Sequence, residues 1–176
     1  MALPRALLIP ALALATAPAM AADLFGGVYL HDVQPPFTHD INEDGHDFQL
    51  GYRGDRIVGL GPIGGPAPYI FGSLNDHGDT SLVAAGLGWR IGGPVYLRPG
   101  IGIAIHDGPS LRVNDRGRRS DLGSRVLFEP ELAIGAQVAP GVSAELSYVH
   151  VSHATLFSKQ NPGLDMLGLR LNLHLP

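Results

Sequence analysis

The sequence predicts an all-β protein, an eight-stranded antiparallel transmembrane β-barrel of the outer-membrane type that follows a cleaved signal peptide. Three observations predict this fold class. Apolar residues alternate with small or polar ones in segment after segment, with the period of two that a strand requires. The first 21 residues have the composition of an export signal. Charged side chains fall on the face opposite to the apolar one, as suits the lumen of a small barrel.

The export signal combines Arg5, an apolar run from Ala6 to Ala17 and a small-x-small site at positions 19–21. This is the pattern of a secretory signal peptide. The apolar run is shorter than the roughly 20 residues that a membrane-spanning helix needs, which argues against a permanent anchor. We therefore predict a signal peptide over residues 1–21 and a single barrel domain over residues 22–176.

The overall composition excludes some classes of protein. Charged residues make up 16 % of the chain and the formal net charge is −4, whereas a nucleic-acid-binding protein needs a basic surface. The chain has no cysteine, so an exported protein of this sequence relies on packing or on a closed hydrogen-bonded sheet rather than on disulfides. The 24 glycines and 15 prolines indicate many turns and short strands, and no long segment has apolar residues at helical spacing.

Eight segments have an apolar face, and we predict each of them to be a strand. In chain order these faces comprise Leu24, Val28 and Leu30; Phe48, Leu50 and Tyr52; the segment from about Ala67 to Leu74; Val83, Ala85, Leu87, Trp89 and Ile91; Val95, Leu97, Ile101, Ile103 and Ile105; Val126, Phe128, Leu132, Ile134 and Val138; Val142, Ala144, Leu146 and Tyr148; and Leu167, Leu169, Leu171, Leu173 and Leu175. The third segment is apolar on both faces, so its orientation is the least determined.

Two architectures bury a sheet of this kind. A soluble barrel or sandwich turns the apolar face inward, and an outer-membrane barrel turns it toward lipid. Strand lengths near the roughly 9–11 residues that cross a bilayer, and an even strand number, favour the membrane. So does the number of charges on the opposite face of strands five to eight, which are Arg98, Arg125, Glu129, Glu131, Glu145 and Arg170. A soluble periplasmic carrier remains an alternative, because strand alternation alone looks the same in both.

A histidine, a serine and a carboxylate interrupt the lipid-facing side near one loop. His150 and Ser152 continue the apolar face of strand seven, and Asp165 shares the face of strand eight. If odd-numbered strands run outward, the connections 34–46, 75–79, 107–123 and 153–164 face outside the cell, and all three residues lie level with the outer leaflet. A basic charge on a lipid face costs about 2–4 kcal/mol at mid-depth and less near the interface, so three polar residues close together on this face need an explanation.

Two interpretations explain these three residues. Side chains two apart on a strand project side by side, and the neighbouring strand can bring in the carboxylate, which would assemble a Ser-His-acid hydrolase. Alternatively, they are ordinary polar side chains at the membrane-water interface. Parity alone does not decide between these interpretations.

The flanking residues carry a resemblance to a known family. The run 150–154, His-Val-Ser-His-Ala, and the run 161–165, Asn-Pro-Gly-Leu-Asp, resemble the His-x-Ser-Asn-Ala and Asn-x-Gly-x-acid signature of the lipid A 3-O-deacylases of Gram-negative outer membranes. Phe128 matches a phenylalanine of that family. The resemblance departs from the signature at His153, which stands in place of an asparagine, and at Asp165, where glutamate is also found.

The resemblance implies an outer-membrane esterase that removes the 3-O-linked acyl chain from lipid A of lipopolysaccharide. It implies Ser152 as nucleophile, His150 as general base and then acid, and Asp165 as the residue that orients the imidazole. Asn161 would stabilise the oxyanion and Phe128 would line the acyl groove. No cofactor is needed, because acyl transfer to serine and then to water is complete with these groups.

The remaining predictions concern partners. Four arginines crowd the loop before strand six and suit the phosphates of a lipid A headgroup, although a solvated loop is the alternative: Arg112, Arg116, Arg118 and Arg119. The scattered histidines have no spacing that builds a metal site. We expect a membrane-embedded protein with lipopolysaccharide as substrate and no nucleic-acid partner, and a homodimer is compatible with the sequence. The rival function is a non-catalytic barrel that serves as an adhesin or structural protein.

Overall fold

A computed structural model of the protein describes residues 22–35, 43–109, 122–154, 156 and 162–175. The described residues form nine strands: β1 (Ala22–Leu30), β2 (His46–Arg53), β3 (Ala67–Asn75), β4 (Leu82–Gly88), β5 (Ile91–Gly92), β6 (Val95–His106), β7 (Val126–Ala139), β8 (Val142–Val151) and β9 (Leu164–Leu175). A 3₁₀-helix, Val58–Ile63, lies between β2 and β3. Within these ranges, no helix has both the length and the apolar character that crossing a bilayer requires. The predicted signal peptide lies outside the described residues.

The strands close into a barrel. Strands consecutive in the chain pair antiparallel, except that β4 and β5 both pair with β6 and not with each other. Because β1 also pairs with β9, the hydrogen-bonded ring is complete. The two-residue β5 extends the position of β4 along β6. The described strands therefore fill eight positions around the ring, which confirms the predicted eight-stranded antiparallel barrel.

The fourth strand position differs from the sequence prediction, which ran one strand through Trp89 to Ile91. In the structure β4 stops at Gly88, opposite Gly100 of β6. The next residue of β6 in this direction is Pro99, which accepts a hydrogen bond from the Trp89 backbone N–H at 2.9 Å but has no N–H to return. The indole of Trp89 instead donates to the carbonyl oxygen of Ile63 at 2.7 Å. A proline on the partner strand thus interrupts the ladder.

The outer surface of the barrel is apolar, as the period-two alternation predicts. Leu50, Leu74 and Leu169 are each about two-thirds exposed. β3, whose sequence is apolar on both faces, directs Tyr69 and Phe71 into the buried interior. Exposed apolar residues on every side of a closed sheet are typical of a surface solvated by lipid and rare on a soluble monomer.

The interior is filled by paired charges. The Arg170 guanidinium, almost fully buried, contacts Glu145 through Nε at 2.8 Å and Glu131 through Nη1 at 3.0 Å. Arg98 reaches the other oxygen of Glu145 at 2.8 Å. Buried charges are stable when they are paired in this way, so the polar side of β6 to β9, the predicted strands five to eight, faces the lumen as predicted.

Arg125 is an exception to the predicted lumen set. It lies one residue before β7 and is exposed, and its guanidinium donates to the carbonyl oxygens of His106 and Gly108 at 2.8 and 3.0 Å. Because the ladder between β6 and β7 ends at the pair Ile105 and Val126, strand parity no longer applies to Arg125. The side chain therefore braces the rim of the barrel rather than its interior.

Candidate active site

The site lies at the end of the barrel that carries the connections after β1, β3, β6 and β8, which we call the outer end. Ser152 follows the last residue of β8 but keeps the register of the strand. Its backbone exchanges two hydrogen bonds with Phe128 of β7, Phe128 N–H to the Ser152 carbonyl oxygen at 2.8 Å and Ser152 N–H to the Phe128 carbonyl oxygen at 3.1 Å. Residues paired in this way project side chains on one face. Ser152 therefore points outward beside the Phe128 side chain.

His150 connects Ser152 to Asp165. It lies directly opposite Asp165 in the β8–β9 ladder. Its Nδ1 is 2.7 Å from Asp165 Oδ1, and its Nε2 is 3.0 Å from Ser152 Oγ. A carboxylate only accepts hydrogen bonds, so the proton of the neutral imidazole is assigned to Nδ1. Nε2 is then free to accept the proton of the serine hydroxyl. We call these three residues the Ser-His-Asp cluster.

The Ser-His-Asp cluster is more buried than an outward-facing position implies. Asp165 is 0 % exposed and Ser152 is 6 % exposed, whereas the His150 side chain keeps 25 % of its surface exposed. The hydroxyl of Tyr148, two residues before His150, donates to the same oxygen of Asp165 that contacts the imidazole. The backbone N–H of Val33, in the segment after β1, donates to the Asp165 carbonyl oxygen at 2.9 Å. Neighbouring residues thus bury Asp165 and leave the imidazole of His150 accessible.

Gly163 lies against the imidazole ring. A Cβ atom at this position would be 2.4 Å from Cε1 of His150, far inside van der Waals contact. The ring therefore packs on a backbone without a side chain, while Asp165 holds its Nδ1. This contact gives a physical reason for glycine two residues before the acid in the sequence motif.

On the other side of Ser152 the chain leaves the strand. His153, the residue that departs from the family signature, is completely buried next to Ser152. Ala154 has a φ of 51°, in the left-handed region that residues other than glycine seldom adopt. Such backbone conformations occur preferentially at functional sites.

Several predicted site residues are not placed by the structure. Phe128 is described, is 37 % exposed and flanks Ser152. The oxyanion candidate and the headgroup candidates lie outside the described residues; they are Asn161, Arg112, Arg116, Arg118 and Arg119. Among the residues that are described, no group of three or more histidine, cysteine or acidic side chains is arranged to hold a metal ion.

His31 also lies at the outer end, and it was not singled out by the sequence. The buried imidazole of His31 lies between Asp47, 2.8 Å from Nδ1, and Glu43, 2.9 Å from Nε2. Burial alone would lower the pKa of His31, but its hydrogen bonds and the charges of both carboxylates raise the pKa to about 9. Glu43 also accepts hydrogen bonds from Thr80, at 3.0 Å from its N–H and 2.9 Å from its hydroxyl. Both imidazole nitrogens are engaged by carboxylates, so this histidine fastens the rim and does not serve as a base.

The Ser-His-Asp cluster contains the groups that acyl transfer requires. An imidazole within hydrogen-bond reach of a serine hydroxyl, and itself oriented by a carboxylate, is the arrangement that activates serine for attack on an ester carbonyl. Its place on the lipid-facing side of the outer end suits an ester carried by a lipid.

Comparisons with known proteins give a family and a fold. The family model described as lipid A 3-O-deacylase (PagL) matches residues 63–174, which include the whole Ser-His-Asp cluster. The crystal structure of the outer membrane enzyme PagL is similar at a TM-score of 0.60 and 19 % identity, covering 86 % of this chain and 98 % of that one. A de novo designed transmembrane β-barrel is similar at a TM-score of 0.54 and 7 % identity, covering 90 % and 98 %. At these identities, the structural likeness concerns the fold alone. No curated protein sequence matches the chain.

Proposed function

Because the chain belongs to the lipid A 3-O-deacylase (PagL) family, we propose that Ser152, His150 and Asp165 perform its ester hydrolysis. Membership makes the protein an ester hydrolase of the Gram-negative outer membrane, in keeping with its barrel fold. The roles of the individual residues are the proposal. Ser152 is the nucleophile, His150 is the general base and then the general acid, and Asp165 orients and stabilises the imidazole.

One observation carries the proposal, namely the continuous chain of contacts from Ser152 Oγ through His150 to Asp165 Oδ1, at 3.0 and 2.7 Å. As Oγ attacks the ester carbonyl carbon, its proton passes to Nε2 of His150. Collapse of the tetrahedral intermediate breaks the bond to the 3-oxygen of lipid A, which takes that proton and leaves as a hydroxyl. Water then attacks the acyl-serine by the same route and releases the fatty acid. Asp165 remains ionised throughout and balances the charge of the imidazolium.

The position of the Ser-His-Asp cluster supports entry of substrate from the lipid phase. His150 and Phe128 are accessible on the outward face, and Phe128 flanks the nucleophile. An acyl chain of the outer leaflet would therefore reach Ser152 sideways, with Phe128 as apolar lining. We include Asn161 as the oxyanion donor because it matches the sequence motif. We include Arg112, Arg116, Arg118 and Arg119 as ligands of the headgroup phosphates because of their charge. The reaction as proposed needs no cofactor.

The test is mass spectrometry of lipid A after incubation with the refolded barrel. The wild type removes one ester-linked acyl chain, and Ser152→Ala removes none. Asp165→Asn keeps the shape of the side chain and lowers kcat by up to about 10⁴-fold, because the imidazole loses its partner for the correct tautomer. Barrel folding is verified for each variant by its altered gel mobility before and after boiling. Unchanged lipid A with folded wild-type protein would favour the non-catalytic barrel.

Two organisational predictions accompany this proposal. The sequence is compatible with a homodimer, and sedimentation of the refolded protein in detergent tests it, since a particle of one chain refutes pairing. A single barrel domain over residues 22–176 is tested by protease digestion of the folded protein. One resistant core that includes both β1 and β9 is the expected result.

A further inference from the structure

Tyr148 makes a contact that the reaction above leaves unassigned. It lies on β8 two residues before His150, so both side chains project from the outward face. Its hydroxyl donates to Oδ1 of Asp165, the atom that also accepts the hydrogen bond of His150 Nδ1. Two donors from one strand thus converge on one oxygen of a carboxylate on the neighbouring strand.

This convergence constrains the carboxylate. The final torsion of an aspartate side chain is soft and broadly distributed, so a single hydrogen bond leaves the group free to rotate. A carboxylate oxygen has two lone pairs. It can therefore accept from His150 and Tyr148 together, and the two hydrogen bonds hold Oδ1 beside the imidazole. The phenol hydroxyl also supplies a donor to a buried charge on a lipid-facing surface, where an unsatisfied carboxylate is costly.

The ordinary explanation of an outward-facing tyrosine is an aromatic belt at the membrane interface, with the hydroxyl directed to headgroups and water. Tyr52 of β2 has such an environment, with 43 % of its surface exposed. Tyr148 differs because its hydroxyl is directed to the buried Asp165 and its ring is half-buried. Packing opposite Leu167 would be satisfied equally by phenylalanine, so the hydroxyl calls for a separate explanation.

We propose that Tyr148 is a positioning residue for the ester hydrolysis, whose hydroxyl holds Oδ1 of Asp165 against His150 so that Nε2 faces Ser152. It acts through Asp165 and takes no part in bond making. The inference rests on the proposed Ser-His-Asp function and adds a fourth member to the hydrogen-bonded chain.

The experiment compares Tyr148→Phe with the wild type and with Tyr52→Phe, which removes the hydroxyl of the exposed tyrosine on β2. Lipid A turnover by the refolded barrels gives kcat and KM. Tyr148→Phe lowers kcat on the order of tenfold, the effect expected for a lost hydrogen bond to a charged group, and changes KM by less than about twofold. Tyr52→Phe changes neither. Tyr148→Met provides a second side chain without the hydroxyl if the phenylalanine variant does not refold.

A second readout separates positioning from general stability. The hydrogen-bonded Nδ1 proton of His150 gives an NMR resonance that depends on its contact with Asp165, so Tyr148→Phe shifts or broadens it and Tyr52→Phe leaves it in place. A wild-type kcat in Tyr148→Phe overturns the proposal, and so does a lowered kcat with an unmoved His150 resonance. Full activity in Ser152→Ala would instead refute the Ser-His-Asp function itself, whatever Tyr148 does.

Discussion

The contact between Gly163 and the imidazole makes Gly163→Ala a sharp probe of the site. A methyl group there would stand 2.4 Å from Cε1, 3.2 Å from Nε2 and 3.3 Å from Nδ1 of His150. Carbon atoms in contact prefer about 3.5–4.0 Å, so the ring or the backbone has to move by about 1 Å. The φ of Gly163 is not in the left-handed region, so alanine adds a steric effect without backbone strain.

A displacement of this size is large for catalysis. The distance from His150 Nε2 to Ser152 Oγ is 3.0 Å, and a shift of about 1 Å away from the serine would take it beyond the range of a hydrogen bond. Misplacement of a reacting group by that amount costs roughly 10²-fold in rate. We therefore expect Gly163→Ala to lower kcat for lipid A deacylation about a hundredfold, with the barrel still folded.

The assay is the release of the acyl chain followed by mass spectrometry, with folding checked by gel mobility. Gly93→Ala is the matched control, because a Cβ at Gly93 meets nothing within 4 Å and its turn lies at the opposite end of the barrel. Gly93→Ala should retain wild-type kcat. A folded Gly163→Ala protein within about threefold of wild type would refute the reasoning, because it would mean that the position of His150 does not limit the reaction.

Three further predictions follow from other contacts. Arg170→Met removes one charged partner from each of the buried carboxylates Glu131 and Glu145. We expect it to lower the free energy of unfolding by about 3–5 kcal/mol, measured by urea titration in lipid vesicles. Folding raises the pKa of His31 from 6.5 to about 9, so its contribution to stability is complete below pH 6.5 and is lost as the pH rises through about 9. The free energy of unfolding of the wild type should therefore fall between pH 7 and 10, and His31→Asn should abolish the part of that fall that comes from His31. Phe128→Ala keeps the backbone pair with the nucleophile but removes apolar surface beside it, so kcat/KM should fall roughly tenfold, and an unchanged value would exclude Phe128 from the acyl groove.

Sequence periodicity predicted most of the barrel because strand alternation is a local property. The apolar faces of β1, β2 and β6 to β9 point outward as expected, and Glu131, Glu145 and Arg170 face the lumen. Predictions were wrong where a partner strand decides the outcome. Pro99 interrupts the ladder that would have carried the fourth strand through Trp89, and Arg125 lies just beyond the paired part of β7, where parity has no meaning.

Spacing along the chain was enough to place His150 and Ser152 on one face, because side chains two apart on a strand must project together, and to place Asp165 on the apolar face of the next strand. It took the folded sheet to show that His150 lies directly opposite Asp165, that Tyr148 contacts Asp165 and that Gly163 contacts His150. Parity follows from the chain alone, whereas the register of β8 against β9 depends on how the two strands pair across their long connection. The contact between His150 and Asp165 therefore follows from strand pairing, which the spacing of residues along one strand does not specify.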